Sequence, residues 1–159
     1  MTGPVSSHDS IHDSIHDSIN NPVEIRGLLT TPATWAVVGL SDNAERTAYR
    51  IATFLRDELG MHVIPVHPAA PEVAGVQGYA ALADIPDGTT VAVVDCFVRS
   101  ELVGDVVDAA IAERDRLGIR AVWLQLGVVD DDAAQRALDA GLVVVMDTCP
   151  KIEWPKIDH

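Results

Sequence analysis

The amino-acid sequence predicts a single α/β domain built on a mostly parallel sheet. Two observations lead to this prediction: short apolar runs alternate with amphipathic stretches, and a glycine directly follows the first run. Strands that are apolar on both faces must be covered by helices on both sides. Right-handed crossovers between such strands then give three αβα layers, the doubly wound Rossmann-like arrangement.

Composition and charge limit the classes of function. The chain has 159 residues, of which 48% are hydrophobic and 22% charged, as in one ordinary globular domain. Its net charge of −13 argues against binding to nucleic acids or anionic membranes, which both need a basic footprint. No apolar run is long enough to span a membrane, and the few cysteines fit a reducing compartment. We therefore expect a cytoplasmic protein.

Residues 1–21 differ in composition from the rest of the chain. The tetrapeptide His8-Asp9-Ser10-Ile11 occurs three times in tandem, ending at Ile19. Histidines four residues apart can chelate zinc or nickel on a helix, whereas Asp and Ser weaken helices and such repetition is typical of a solvated arm. We favour the solvated arm and expect no metal site. The folded domain is then expected over residues 22–159.

The first half of the domain carries two predicted helices and two predicted strands. Asn21 and Pro22 have the residue types of an N-cap and a first helical position, and they predict a short helix. The strands are expected over residues 35–38 and 62–66, and a proline in the second favours an edge position. Between them, apolar residues spaced three and four apart over 48–59 predict an amphipathic helix.

The second half continues the alternation. A short strand is expected over 75–79 and a helical turn over 80–84. Further apolar runs predict three strands, over 90–95, 120–124 and 142–146. Helices are expected over 102–117 and 131–140. The expected strand order is the Rossmann order, 3-2-1-4-5-6.

The turn after the first strand is the expected ligand site, because doubly wound sheets bind ligands beyond the carboxyl ends of their strands. It reads Gly39-Leu40-Ser41, and Arg46 and Thr47 follow at the start of the next helix. Glycine allows a tight turn, and the helix N-terminus offers free N–H groups to an anion. Together with the positive charge of Arg46, this arrangement suits a diphosphate.

Motifs of the common nucleotide-dependent enzymes are incomplete at this turn. Ser41 and Ala44 replace the second and third glycines of the dinucleotide fingerprint G-x-G-x-x-G, and His67 stands where an acidic residue would bind the ribose of NAD. The ATP-binding sequence G-K-S/T is absent. Residues 39–43 approach the nucleophile elbow G-x-S-x-G but lack its last glycine. We expect no catalytic residues and keep an NAD(P)-dependent oxidoreductase as the alternative.

Two further residues after predicted strands have open roles. Arg99 could hold a phosphate through its forked guanidinium group or pair with Glu101 on the surface. Cys149 could exchange with a thiol ligand, although a buried and inert cysteine is the more common case. Cys96 and Cys149 follow strands that are not neighbours, so we expect no disulfide between them.

Four motifs follow one another along the chain: AVVGLS at 36–41, VIPVHP at 63–68, WLQLGV at 123–128 and VVMDTCPKIE at 144–153. Together they resemble the small stand-alone CoA-binding proteins, which are similar to the CoA-binding domain of the succinyl-CoA synthetase α subunit. The resemblance implies a Rossmann-like fold that binds coenzyme A or an acyl-CoA, with no established reaction. A protein partner, as for a subunit of an acyl-CoA ligase, stays open.

The resemblance also implies how coenzyme A would lie. The turn Gly39-Leu40-Ser41 would hold the diphosphate with the help of Arg46. The adenosine would be flanked by Val66-His67-Pro68 and by Phe97-Val98. The pantetheine arm would be bordered by Gln125-Leu126-Gly127.

Overall fold

The computed structural model describes residues 17–157. Five strands form one sheet, and helices cover both of its faces. The strands are β1 Thr34–Val38, β2 His62–Val66, β3 Val93–Cys96, β4 Ala121–Leu124 and β5 Val143–Met146. Beyond residue 21 the helices are α1 Pro22–Thr30, α2 Thr47–Asp57, α3 Ser100–Leu117, α4 Asp131–Asp139 and α5 Pro150–Glu153, with 3₁₀ turns at Leu82–Asp84 and Trp154–Lys156.

All neighbouring strands are parallel, in the order β2-β1-β3-β4-β5. The chain passes from β1 outward to β2 and then returns to the other side of β1 to form β3. The order therefore reverses between β1 and β3, and the connections after these two strands leave toward opposite faces. This reversal opens a crevice at their carboxyl ends. The predicted Rossmann-like three-layer fold is confirmed.

Both faces of the sheet are buried, as the apolar strands predict. On one face, Val94 and Val122 pack beneath α3 and α4. On the other face, Trp35 and Trp123 lie beneath α1 and α2 with their ring centroids 5.6 Å apart. Both tryptophans are fully buried, so each layer of helices closes over a separate apolar core.

The predicted strand over 75–79 is wrong. Within this segment only Tyr79 pairs with the sheet, through a single bridge to Val66. Ala74 and Gly75 have left-handed backbone conformations, with φ of 52° and 80°, which turn the chain instead of extending it. The sheet consequently has five strands rather than the six of the expected order.

The last residues of the N-terminal stretch contact the domain. Residues 1–16, which include the histidines of the repeats, lie outside the described part of the chain, and the domain boundary at 22 stays a prediction. Ile19 packs against the core under α3 and α4. Asn20 hydrogen-bonds to the backbone of β5. The solvated arm that the sequence predicts can therefore extend no further than residue 18.

Gly39 lies at the point where the chain turns out of β1. Its φ is +99°, and a Cβ atom added there would stand 2.3 Å from the carbonyl oxygen of Phe97. The backbones that leave β1 and β3 can approach this closely only because residue 39 has no side chain. The turn sets the shape of the crevice.

We expect Gly39→Ala to lower the free energy of unfolding by more than ~2 kcal/mol, because it adds a clash with Phe97 to the cost of the left-handed conformation. Gly75→Ala is the matched control, since Gly75 has φ of +80° but open space around its Cα. That control should lose only ~1 kcal/mol. Urea unfolding measures both variants, and equal losses would contradict the packing argument.

Candidate functional site

A cleft of about 560 Å³ lies beyond the carboxyl ends of β1, β2 and β3. Its size is within the range of small-molecule sites. One wall is the turn after β1 together with the first residues of α2, and the opposite wall is the connection from β3 to α3. His67 and Pro68, which follow β2, close the end of the cleft. The cleft is therefore the crevice that the strand reversal creates.

Most of the residues that the sequence singled out line this cleft. They are Gly39, Ser41, Arg46, Thr47, His67, Pro68, Phe97, Val98 and Arg99. Sequence reasoning missed Asn43, Ala48 and Leu102, which also line it. Asn43 and Ala48 belong to the same turn and helix start as Arg46, and Leu102 lies in the first turn of α3. Because these three residues lie in or beside the turns that follow the predicted strands, the sequence could have indicated them.

Five predicted residues lie outside the lining. Leu40, Val66 and Gln125 are buried, so Leu40 can reach a ligand only through its backbone. Leu126 and Gly127 are exposed beyond the end of β4. Their roles toward a ligand stay predictions.

The turn between β1 and α2 is braced by its own polar groups. The Ser41 hydroxyl accepts a hydrogen bond from the Asn43 N–H at 3.2 Å, and the Asn43 side chain accepts one from the Glu45 N–H at 3.0 Å. Arg46 is the N-cap residue of α2, and its side chain makes no capping bond. The N–H groups of Thr47 and Ala48, which line the cleft, are therefore available to an anion.

Two arginines face this anion position from the two walls. Arg46 precedes α2 and Arg99 precedes α3, and both line the cleft. Within residues 17–157 neither takes part in an ion pair, and the alternative pairing of Arg99 with Glu101 does not occur. By contrast, Arg116 and Arg136 pair with carboxylates elsewhere on the surface. The guanidinium groups in the cleft remain free to bind a phosphate.

The imidazole of His67 is held in one orientation. Its Nδ1 atom accepts a hydrogen bond from the Ala69 N–H at 3.1 Å. In the neutral ring the proton must then lie on Nε2. His67 therefore offers one further N–H donor at the cleft.

Asp95 is a buried carboxyl group that sequence reasoning placed at the end of a strand. It lies inside β3, and Nε2 of Gln125 donates to its Oδ1 atom at 2.5 Å. Its Oδ2 atom has no hydrogen-bond partner in the described part of the chain. Burial raises the pKa of Asp95 to about 7, although the bond from Gln125 acts in the opposite direction. The pair holds Gln125 at the beginning of the loop after β4.

The two cysteines are free and buried. Cys96 ends β3 and Cys149 follows β5, and β4 lies between these two strands. Burial raises the pKa of the Cys149 thiol, and the charge of Asp95 acts in the same direction. Burial likewise raises the pKa of Cys96. A raised pKa lowers the thiolate fraction at neutral pH, so it favours the inert interpretation of Cys149 over thiol exchange.

Between residues 17 and 157, no cluster of three or more His, Cys, Asp or Glu side chains could hold a metal ion. None of the helices in this part of the chain is long and apolar enough to cross a membrane. The histidines of the N-terminal repeats lie outside it.

The fold and the cleft together define a Rossmann-like α/β domain with an open cleft at its strand reversal. The sequence matches the CoA binding domain family over residues 33–155, and the chain belongs to this family. The family resemblance inferred from the four motifs is thus confirmed.

Similar proteins of known sequence or structure agree with this membership. The chain is 35% identical to the uncharacterized protein YneT of Bacillus subtilis (strain 168) over 129 residues, 81% of this chain and 90% of that one. A hypothetical protein from Pyrococcus horikoshii OT3 is 34% identical with a TM-score of 0.75, over 86% of this chain and 91% of that one. The apo form of dinucleotide forming acetyl-coenzyme A synthetase 1 from Ca. Korarchaeum cryptofilum is 25% identical with a TM-score of 0.61. That match covers 75% of this chain and 27% of the synthetase chain.

We expect the carboxyl group of Asp95 to give the folded protein a pH-dependent stability. Its pKa rises from 3.8 to about 7 on folding, so between these pH values the folded state binds a proton that the unfolded state has lost. Stability must then fall as pH rises from about 4 to about 7, by up to ~4 kcal/mol. Asp95→Asn removes this slope.

Urea unfolding of wild type and variant at a series of pH values measures the difference. Asp105→Asn, at an exposed position of α3, is the control and should keep the wild-type slope. An Asp95→Asn variant with the wild-type slope would show that folding does not raise the pKa of Asp95.

Proposed function

We propose that this protein binds coenzyme A or an acyl-CoA in the cleft, with the diphosphate at the start of α2. The observation that carries the proposal is the set of unused donors around Gly39: the uncapped N–H groups of α2, Arg46 and Arg99. A diphosphate presents several oxygens to such donors at once. Backbone N–H groups and forked guanidinium groups bind them with complementary geometry.

The overall charge makes these local donors necessary. The net charge of −13 repels a polyanion such as coenzyme A at long range, so affinity must come from groups in direct contact. Arg46 and Arg99 supply that contact from opposite walls. The Nε2–H group of His67 adds a donor where the adenosine would be flanked by His67-Pro68 and Phe97-Val98.

The pantetheine arm would run along the carboxyl edge of the sheet toward β4. The loop after β4 lies against the first turn of α3: the Ser100 hydroxyl donates to the Gly127 carbonyl at 3.3 Å and accepts from the Val129 N–H at 2.9 Å. Arg99 immediately precedes that turn. This continuity supports the proposed border of Gln125-Leu126-Gly127, although the side chain of Gln125 is turned inward to Asp95.

The contacts of Ser41 in the turn after β1 favour a binding role over catalysis. Ser41 stands at the nucleophile position of the incomplete elbow motif. Its hydroxyl accepts a hydrogen bond from the Asn43 N–H and braces the turn. The similarity to a synthetase of which this chain covers 27% supports a second possibility, a domain that works beside separate ligase domains. Both roles use the same CoA site.

The first test compares ligands on the wild-type protein. We expect calorimetric titration to show binding of CoA, and CoA to raise the melting temperature by mass action. NAD should bind more weakly, because His67 replaces the acidic residue that would hold its ribose. Tighter binding of NAD than of CoA would overturn the proposal.

The same titration on three variants tests the diphosphate position. Arg46→Ala should weaken CoA binding about 10- to 100-fold, because charge-assisted hydrogen bonds contribute ~1.5–3 kcal/mol. Arg46→Lys should restore it only in part, since an ammonium group cannot donate as a fork. Arg56→Ala is the control: Arg56 lies near the other end of α2 and pairs with Asp57. If Arg46→Ala binds CoA within about twofold of wild type, the role of Arg46 is wrong.

A further inference from the structure

The outer edge of β5 is formed by the backbone groups of two residues. The Val143 N–H donates to the Arg120 carbonyl, just before β4, and the Asp147 N–H donates to the Leu124 carbonyl at its end. The backbone groups of Val143 and Asp147 therefore point toward β4. Because residues alternate along a strand, Val144 and Met146 turn their N–H and C=O groups outward. Such an edge of an apolar strand is a template on which another strand can pair.

Asn20 occupies three of these four outward groups. Its backbone N–H donates to the Val144 carbonyl at 3.0 Å. Its side-chain amide accepts from the Met146 N–H at 2.7 Å and donates to the Met146 carbonyl at 2.9 Å. The amide thus imitates the donor and acceptor that a neighbouring strand would present. A single residue covers the edge.

The other edge of the sheet is closed in a different way. Pro65 of β2 has no N–H group, and its carbonyl accepts from the Tyr79 N–H at 3.0 Å. The Tyr79 carbonyl in turn accepts from the His67 N–H at 2.9 Å. The second half of the β2 edge is therefore closed by residues that belong to the domain itself, whereas the β5 edge is covered by one residue of the N-terminal stretch.

We propose that the outer edge of β5 is a pairing surface for a second copy of this chain, kept closed by Asn20 of the same molecule. An antiparallel pair would set Val144 of one copy opposite Met146 of the other, so the edge is self-complementary about a two-fold axis. Because Pro65 has no N–H group and its carbonyl is already bonded, β2 is a poor partner for β5. Pairing of β5 with β5 then gives a dimer with a continuous ten-stranded sheet rather than a fibre. The proposal does not depend on what the cleft binds.

Two substitutions at position 20 test the proposal in the full chain. Asn20→Gly deletes the side-chain amide and both of its bonds to Met146, and glycine readily adopts the φ of 54° found there. One backbone bond to Val144 remains, which a pairing strand has to displace. Asn20→Asp also loses the bond to the Met146 carbonyl, but it leaves a negative charge on the edge, which opposes strand pairing. Both variants therefore lose hydrogen bonds between residue 20 and β5. Only Asn20→Gly leaves the edge without a charge that opposes strand pairing.

Sedimentation velocity over a range of concentrations measures the outcome, with circular dichroism to show that both variants are folded. We expect Asn20→Gly to associate at least about 10-fold more tightly than wild type, and Asn20→Asp to keep the wild-type mass. If Asn20→Gly keeps the wild-type mass, the Asn20 amide is not what keeps β5 from pairing, and the proposal fails. If both variants associate equally, the association comes from loss of stability, and the proposal fails.

Discussion

The close approach of Gly39 to the carbonyl of Phe97 determines the rest of this structure. At this contact the backbones leaving β1 and β3 are so near that a single added carbon would stand 2.3 Å from the carbonyl oxygen. The segments that follow β1 and β3 then diverge to opposite faces of the sheet, and the crevice between them is the cleft. The same turn directs the start of α2 toward the position where a ligand anion would lie. Fold and site therefore share one steric requirement.

The arginines of the cleft differ from the surface arginines in having no carboxylate partner. The chain carries 24 acidic and 11 basic residues. The arginines with described ion pairs each bind a carboxylate on α2 or α3; they are Arg56, Arg114, Arg116 and Arg136. Arg46 and Arg99 have no ion pair within residues 17–157, and both line the cleft. This combination underlies our proposal that they bind an external anion, and the membership in the CoA binding domain family suggests which class of anion.

The sequence predicted correctly those features that depend on neighbouring residues, such as helix caps and buried strands. Asn21 caps α1, and Asp130 caps α4 by accepting from the Ala133 N–H, as their residue types indicate. The apolar runs predicted the strands because both faces of the sheet are buried. Two missed features depend on distant partners: the buried pair that Asp95 forms with Gln125, in the loop after β4, and the cover that Asn20 provides for β5. No pattern in neighbouring residues reports such contacts.

The central claim is that CoA lies at the strand reversal, and backbone amide chemical shifts measured during a CoA titration of the isotope-labelled protein test it most directly. We expect the largest changes at Ser41, Thr47, Ala48 and Arg99, whose amides belong to the two walls of the cleft. Changes concentrated at the opposite end of the sheet, around Arg120, would contradict it.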